Sequence, residues 1–464
     1  MQSTRRQWVW RSAGLGAVLA GGILAVQALS GVAVHADGAP TPTFTKDVAP
    51  IFQQKCETCH RAEGMAPMSL VTYEDARPWV KSIVQRVSTR QMPPWNIDKT
   101  VGIQKFKNDR SLSDDQINTI VAWINDGAPK GDLKDMPAAV KWPEGQGWQM
   151  AAKYGAPDLV MKSQPWTVPA EGQDAWWRPE TPTGLTEPRW VRAIEIRPTT
   201  VEMRKVTHHA LARLQQKEDA SMPRELFTND PNVAGDGLFM EWAVGKNADE
   251  MEPGSGRLML PDSKIVWEMH YHSVGEEVKD AQVELAVWFY PKGQEPKHRE
   301  VLALFNSFSG SVPGARGLDI PPNAITTTES FVPLRQNARI ENFQVHEHFR
   351  GKGMSMEALY PDGRRQMLSQ VTDFNFNWMN MYIYADDSAP LLPKGTILHL
   401  VAWYDNTKAN KSNPDPDQWV GYGDRTVDEM GHAWLNITYY NDEDFKVEVD
   451  KRAALTATDT QQGQ

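Results

Sequence analysis

The sequence predicts a multidomain protein in which a small all-α domain is followed by two all-β sandwich domains with a jelly-roll-like fold. The chain has 464 residues, which is more than one ordinary hydrophobic core can organise. Apolar residues recur at helical spacing as far as about residue 130, and beyond about residue 165 they alternate with polar residues. A stretch rich in Pro, Gly and Lys separates these two patterns and is predicted to be a linker. The predicted boundaries are 43–130 for the α domain, 131–165 for the linker, 166–310 and 311–450 for the two β domains, and 451–464 for a polar tail.

Residues 1–36 have the composition of a signal peptide or a membrane anchor. Three arginines precede an uncharged apolar run at 12–34, and residues 34–36 offer a small-residue cleavage site. We therefore expect a periplasmic or otherwise exported protein that either loses this segment or keeps it as an anchor. The net charge of −10 argues against a nucleic-acid partner, because binding phosphate requires a basic surface.

The α domain is predicted to contain three helices. The first leads into Cys56, and the second begins near Pro78, a residue that is tolerated at a first helical position. The third begins after Ser113, which can form a capping box with Gln116, and Gly127 can end it.

The β domains are predicted from short segments with a period of two that are separated by turn residues. A break near residues 311–323 divides them into two groups. The predicted strands are Trp190–Arg197, Val206–Leu214, Lys264–Ser273, Val283–Tyr290, Ile340–Phe349, Met379–Tyr384, Thr396–Tyr404 and Trp434–Tyr440.

The two cysteines of the chain both lie in one motif, Cys56-Glu57-Thr58-Cys59-His60. Covalent haem attachment needs two thiols for the vinyl groups and a neighbouring histidine for the iron, and Cys-x-x-Cys-His supplies all three. We predict that Cys56 and Cys59 hold one c-type haem, that His60 binds its iron, and that the α domain is a cytochrome c domain.

Met92 is the predicted sixth ligand of the haem iron. A thioether raises the reduction potential and suits electron transfer, and the two prolines after Met92 would hold its loop in an extended form. Met65 and Met68 are the alternatives.

Six of the eleven histidines fall in three tight pairs within the β region, which indicates a metal site. The pairs are His208-His209, His270-Tyr271-His272 and His346-Glu347-His348. Residues two apart in a strand point to the same face, so His346 and His348 can converge on one ion, whereas His208 and His209 need a local twist or bulge. Imidazoles suit Cu, Zn, Fe or Ni, and a thioether such as that of Met430 would favour Cu(I).

At these residues the β region resembles the copper type II, ascorbate-dependent monooxygenases, the family of the peptidylglycine α-hydroxylating enzyme and dopamine β-monooxygenase. The matching motifs, in the same order, are Thr207-His208-His209, Met269-His270-Tyr271, Val345-His346-Glu347-His348 and Asp428-Glu429-Met430. The resemblance implies two β-sandwich domains that bind one copper each, and bacterial proteins of this type carry a cytochrome c domain in front.

The resemblance also implies which residues bind each copper. The copper that transfers electrons would be bound by His208, His209 and His270. The copper that activates oxygen would be bound by the catalytic residues His346, His348 and Met430. His432 is an alternative to Met430, and His272, His298, His399 and Glu347 are expected not to bind metal.

The implied reaction is hydroxylation of a C–H bond of a small molecule by O2, with electrons that pass from a periplasmic donor through the haem to the first copper and then to the second. In the peptide-amidating enzyme an Arg grips the substrate carboxylate where this chain has Gln344, and a Tyr assists where it has Trp434. A neutral or apolar substrate is therefore expected. Three other functions stay open: a non-oxygenating electron-transfer or copper-binding protein, a zinc or iron enzyme, and a partner-binding sandwich.

Overall fold

Almost all of the described residues belong to one compact unit, Pro42–Gln464. The computed structural model describes residues 41–62, 64, 66–142, 147–218, 237–243, 246, 248–308 and 317–462. The predicted signal peptide or anchor at 1–36 lies outside these residues. Within them, no helix combines the length and the apolar character that crossing a membrane requires.

The chain is mostly β, with several antiparallel sheets that follow a small N-terminal helical region, as the sequence predicts. The helices are α1 (Ala49–Lys55), α2 (Tyr73–Ala76), α3 (Val80–Ser88), α4 (Asp114–Asn125), α5 (Ala151–Tyr154), α6 (Val201–Val206) and α7 (Asp442–Gln462). One π-helical turn spans Phe44–Val48, and 3₁₀ turns span Arg77–Trp79 and Leu133–Asp135.

The helical region has its own apolar core, in which Phe44, Phe52 and Trp123 pack ring against ring. The predicted capping box of α4 is confirmed: Ser113 Oγ accepts a hydrogen bond from Gln116 N, and Gln116 Oε1 accepts one from Ser113 N. This core fixes α1, which ends at the first cysteine of the haem motif.

Strands begin at Leu159 and continue to Tyr440. The first half of the β region contains β1 (Leu159–Lys162), β2 (Trp166–Val168), β3 (Ala175–Trp177), β4 (Glu180–Pro182), β5 (Arg189–Pro198), β6 (Thr207–Gln215), β7 (Leu238–Ala243), β8 (Ala248–Glu250), β9 (Ser255–Met259), β10 (Lys264–Tyr271), β11 (Val278–Ala281), β12 (Val283–Phe289) and β13 (His298–Asn306). The second half contains β14 (Asp319–Ile320), β15 (Ile325–Pro333), β16 (Asn337–Ile340), β17 (Asn342–Glu347), β18 (Gly351–Leu359), β19 (Arg365–Val371), β20 (Met381–Ile383), β21 (Leu391–Leu392), β22 (Ile397–Asp405), β23 (Val420–Gly421) and β24 (Gly431–Tyr440).

The largest sheet runs through both halves of the β region. Its strands pair in the order β1-β12-β5-β9-β13-β24-β16-β21, with β8 beside β5 and with β17 between β24 and β20. The two halves meet where β13 pairs with β24 over seven residues, from Glu300↔Thr438 to Asn306↔His432. Both strands are largely buried, so this junction is a continuous part of the core.

Two smaller sheets pack with the largest one, and the predicted histidines lie on their strands or on β17. One sheet has the order β3-β10-β6-β7, with β4 beside β10, and the other has the order β15-β22-β18-β19. His208 and His209 lie on β6 and His270 lies on the neighbouring β10. His346 lies on β17, and His348 directly follows that strand.

A segment between the haem motif and α4, residues 94–108, packs on the second half of the β region. Trp95 and Ile97 belong to the same apolar core as the strands of that half. Backbone hydrogen bonds join the segment to residues 368, 370, 383 and 385. We call residues 94–108 the strap, because they tie the helical region to β19 and β20, which belong to two different sheets.

The last helix, α7, was not predicted from the sequence. Residues 442–450 were expected to belong to the second β domain and 451–464 to a polar tail, but α7 spans Asp442–Gln462. Asn441 Oδ1 accepts a hydrogen bond from Asp444 N, and three acidic residues in the first turn favour the helix start. Because α7 is polar, it has no apolar period by which a helix is recognised.

Candidate metal centres

The haem motif occupies a turn directly after α1. Cys59 N and His60 N donate to the Cys56 carbonyl oxygen at 3.1 and 2.9 Å, so both thiols and the imidazole are held on one turn. Both cysteines are half-buried and unpaired, and burial raises the pKa of the Cys56 thiol to about 12. A Cβ added at Gly64 would collide with the Cys59 carbonyl oxygen, so glycine is required there.

His60 is oriented for binding an iron through Nε2. Its Nδ1 lies 3.2 Å from the Met68 carbonyl oxygen, an arrangement that makes Nδ1 the donor and leaves the Nε2 lone pair free. Burial lowers the pKa of His60, which favours the neutral ring that a metal needs. The residues present therefore fit a covalently attached haem.

The three candidates for the sixth ligand are Met68, Met65 and Met92. The Met68 carbonyl holds the Nδ1 side of His60, which is the side away from the expected iron. Met65 lies outside the described residues. Met92 is half-buried and comes just before the strap, so it stays our prediction.

The first histidine group is assembled by a bulge between β6 and β10. His209 pairs with His270 and Thr207 pairs with Tyr271, so His208 is an extra residue in β6. This is the bulge that two adjacent histidines need if they are to share an ion. His208, His209 and His270 bring one ligand atom each within 4.8 Å of one another.

The nitrogen positions in this group fit a metal ion. His208 Nδ1 and His209 Nδ1 are 3.1 Å apart, and two imidazole nitrogens on one tetrahedral ion would be about 3.3 Å apart. His270 Nε2 lies 2.8 Å from Asp174 Oδ2, while its Nδ1 is buried with no hydrogen-bond partner among the described residues. The Asp174 carboxylate thus directs the His270 Nδ1 lone pair towards the group.

The second group lies on β17 and on the neighbouring β24. His346 and His348 are both buried, and their ring centroids are 5.3 Å apart. His348 Nδ1 lies 3.2 Å from the Asp428 carbonyl oxygen, which leaves its Nε2 free to bind a metal. His432 is paired with His346 across the two strands, and both of its ring nitrogens are buried without a hydrogen-bond partner in the part of the chain that the structure describes.

The sulfur atom that contacts this group belongs to Met379. Met379 Sδ is 3.1 Å from His346 Nδ1, and the side chain is buried. Met430 is half-buried, and within the described residues no such contact joins its sulfur to His346 or His348. The sequence predicts Met379 as the first residue of the strand Met379–Tyr384 and assigns it no role in metal binding. In the structure it lies just before β20, which pairs with β17.

Glu429 connects the loop before β24 to the end of β17. Its buried carboxylate accepts hydrogen bonds from the backbone N–H groups of His348, Arg350 and Met430. Burial raises the pKa of Glu429 to about 7, and these three donors act against that rise. Glu429 therefore positions His348 and Met430 together, a role that the sequence analysis did not assign.

The two histidine groups are neighbours. The ring centroids of His209 and His346 are 6.0 Å apart. Phe376 stacks on His208 at 4.6 Å and makes an edge contact with His348 at 6.0 Å. The two groups therefore lie close together, and the Phe376 ring contacts both of them.

Three further histidines among the described residues are not part of either group. His272 is exposed, and His399 contacts Glu329 and Glu357 on the sheet that contains β22. His298 packs against Tyr440 near α7.

Burial keeps the imidazoles of His208, His209, His346 and His348 neutral, which leaves their lone pairs available to a metal. Burial and the neighbouring histidines lower the pKa of His208 to about 3 and hold that of His209 and His346 well below the usual value. For His348 the pKa falls to about 4, again chiefly through burial.

In the metal-free protein, the His432→Phe variant is expected to lose less unfolding free energy than the wild type as the pH falls. Burial lowers the pKa of His432 to about 3, whereas an unfolded histidine titrates near 6.5, so the unfolded state binds the proton first as pH falls. The folded state therefore loses stability as pH falls from about 6.5 towards 4. Denaturant unfolding at several pH values should show a slope smaller by about 1.4 kcal/mol per pH unit in the variant. An equal slope in the wild type and in His432→Phe would contradict the account.

No protein-family model matches the chain, and no curated protein matches it. Among solved structures, the infectious bursal disease virus Gx strain matches at 8% identity with a TM-score of 0.16, covering 62% of this chain and 74% of that chain. The VP2 subviral particle of the same virus matches at 9% identity, covering 62% and 73%, with a TM-score of 0.17. Procruciferin, an 11S globulin from Brassica napus, matches at 9% identity, covering 63% and 86%, with a TM-score of 0.13. At TM-scores this low the matches carry no argument about fold or function.

Proposed function

We propose that this chain is an exported copper monooxygenase that hydroxylates a C–H bond of a small neutral molecule with O2 and receives electrons through its own c-type haem. The observation that carries the proposal is the arrangement of buried imidazoles. His208, His209 and His270 converge on one point, and the ring of His346 lies 6.0 Å from that of His209.

The donor set supports copper for both groups. Neutral imidazoles bind Cu, Zn, Fe and Ni, and a thioether beside them favours Cu(I) over zinc. Copper bound there would supply the one-electron redox chemistry that reduction of O2 and C–H hydroxylation require. His208, His209 and His270 would hold one ion, and His346 and His348 would hold the other, with Met430 as the predicted third ligand.

The proposal includes a haem-binding domain and two copper-binding domains. Residues 43–130 would be a cytochrome c domain in which Cys56, Cys59, His60 and Met92 bind the haem. Residues 166–310 and 311–450 would be two jelly-roll-like copper domains. A periplasmic partner would then reduce the haem, and the segment 1–36 would direct export or anchor the chain.

The side chains around His346 support a neutral substrate. Trp434 stacks on the His346 ring at 4.7 Å, and Gln344 is fully buried on the same strand as His346. Neither side chain offers a positive charge to a substrate carboxylate. An aromatic wall and a neutral amide suit an apolar or uncharged molecule instead.

A second candidate is an electron-transfer protein that binds copper and never inserts oxygen. The half-buried position of Met430 favours it. In that case the second group would lack the thioether that the resemblance implies.

The reaction of the reduced, copper-loaded protein with O2 tests the proposal. Without substrate, a monooxygenase is expected to pass two electrons and two protons to O2 and to release hydrogen peroxide. We expect wild-type protein and the control His399→Ala to do this, and His346→Ala to lose the activity. Copper-loaded wild-type protein that keeps its electrons under O2 would instead support the electron-transfer protein.

A further inference from the structure

We propose that electrons from the haem reach the His346–His348 group first, through a connector loop formed by residues 372–380. This inference rests on the proposed function. It reverses the order that the family resemblance implies, in which the electrons pass first through His208, His209 and His270.

The connector loop contacts the strap close to the predicted haem ligand. The buried side chain of Asn380 donates a hydrogen bond from Nδ2 to the Pro94 carbonyl oxygen at 3.1 Å. Pro94 lies two residues after Met92. Next to this bond, the Trp95 ring packs on Tyr382 at 4.7 Å and Asn96 N donates to the Tyr382 hydroxyl at 3.1 Å. The haem-ligand end of the strap is therefore fixed to the end of the connector loop.

The haem motif itself is joined to the other end of the strap. Lys55, which directly precedes Cys56, donates a hydrogen bond from Nζ to the carbonyl oxygen of Asp109 at 2.9 Å, and Asp109 directly follows the strap.

The other contact of the connector loop is with the second histidine group. Met379 directly precedes Asn380, and its sulfur lies 3.1 Å from His346 Nδ1. The chain of contacts thus runs from the Pro94 carbonyl through Asn380 and Met379 to the His346 ring. A polarizable sulfur is well suited to the last step of such a path.

The connector loop also contacts the first histidine group, through the Phe376 side chain. Phe376 stacks on His208 and also contacts His348, so it joins the two groups. The hydrogen bonds seen for the strap lead to residues 368–387, and the ion pair of Lys107 leads to Glu252. These contacts favour His346 as the first acceptor and Phe376 as the link to His208.

The proposed step moves one electron and neither makes nor breaks a bond. A haem held by Cys56, Cys59 and His60 would supply the electron and would itself be oxidised by one electron. A copper ion held by His346 and His348 would accept that electron and would be reduced by one electron.

The test is the rate at which the haem is reoxidised in oxidised, fully loaded full-length protein without O2. A light pulse with a photochemical reductant reduces the haem, and its absorbance and the Cu(II) paramagnetic signal are then followed. Asn380→Leu and Met379→Leu are expected to slow the reoxidation by about tenfold, because the contacts that orient the path are lost. Asn377→Leu, an exposed residue of the same loop, is the matched control and should react at the wild-type rate.

Two further variants identify the first acceptor. His346→Ala should abolish fast reoxidation of the haem, whereas His209→Ala should keep it. The opposite pattern, or equal rates in all connector-loop variants, would overturn the route. If the wild-type protein still binds copper and consumes O2 in that case, the proposed function stands without the route. A wild-type protein that binds no copper would overturn both.

Discussion

Glu429→Leu is expected to lower the free energy of unfolding by about 3 kcal/mol or more, since three buried N–H groups would lose their acceptor. The donors are the backbone N–H groups of His348, Arg350 and Met430, and the carboxylate that they share is fully buried. Leucine has a similar volume, so the loss of hydrogen bonds and not a cavity determines the effect. Denaturant unfolding of the metal-free protein measures it.

Glu429→Gln is the matched control for this prediction. The amide keeps one acceptor oxygen and the shape of the side chain, so we expect it to lose less stability than the leucine variant. The copper content of the glutamine variant should stay closer to that of the wild type, because His348 keeps part of its anchor. If the two variants unfold at the same denaturant concentration as wild type, Glu429 does not hold these segments together.

The strands could be predicted from the sequence because they depend on local pattern, whereas the grouping of His208, His209 and His270 was implied by the family resemblance. The period-two segments around His270 and His346 are strands in the structure, with ends that differ by a few residues. Two adjacent histidines in a strand require a bulge to share an ion, and β6 has its extra residue at His208. The alternation of His346 and His348 likewise follows from the geometry of a strand.

What could not be predicted depends on how distant segments pack. The contact between the rings of His209 and His346 is set by two sheets that face each other, and no local pattern encodes it. Met379 begins the predicted strand Met379–Tyr384, but a strand pattern does not show which distant side chain its sulfur contacts, so the contact with His346 could not be predicted. Met430 was chosen by motif context, and the packing of the loop before β24 leaves it only half-buried.

His346→Ala is expected to remove one copper ion and to leave the haem in place. The variant deletes a ligand that His348 cannot replace alone, whereas His208, His209 and His270 keep their positions on β6 and β10. The haem motif is held by a separate core around Phe44 and Trp123, so haem attachment should not change.

His399→Ala is the matched control for metal binding. His399 lies on β22, where its ring contacts Glu329, Glu357 and Phe331 and not the candidate centres. The control should bind as much copper as the wild type.

The most direct test of the central claim is the content of copper, zinc and iron per polypeptide in protein purified from the exported fraction. We predict about two copper ions per haem iron in the wild type and in His399→Ala, and about one in His346→Ala. Zinc in place of copper, no copper after reconstitution, or copper unchanged by His346→Ala would contradict the account.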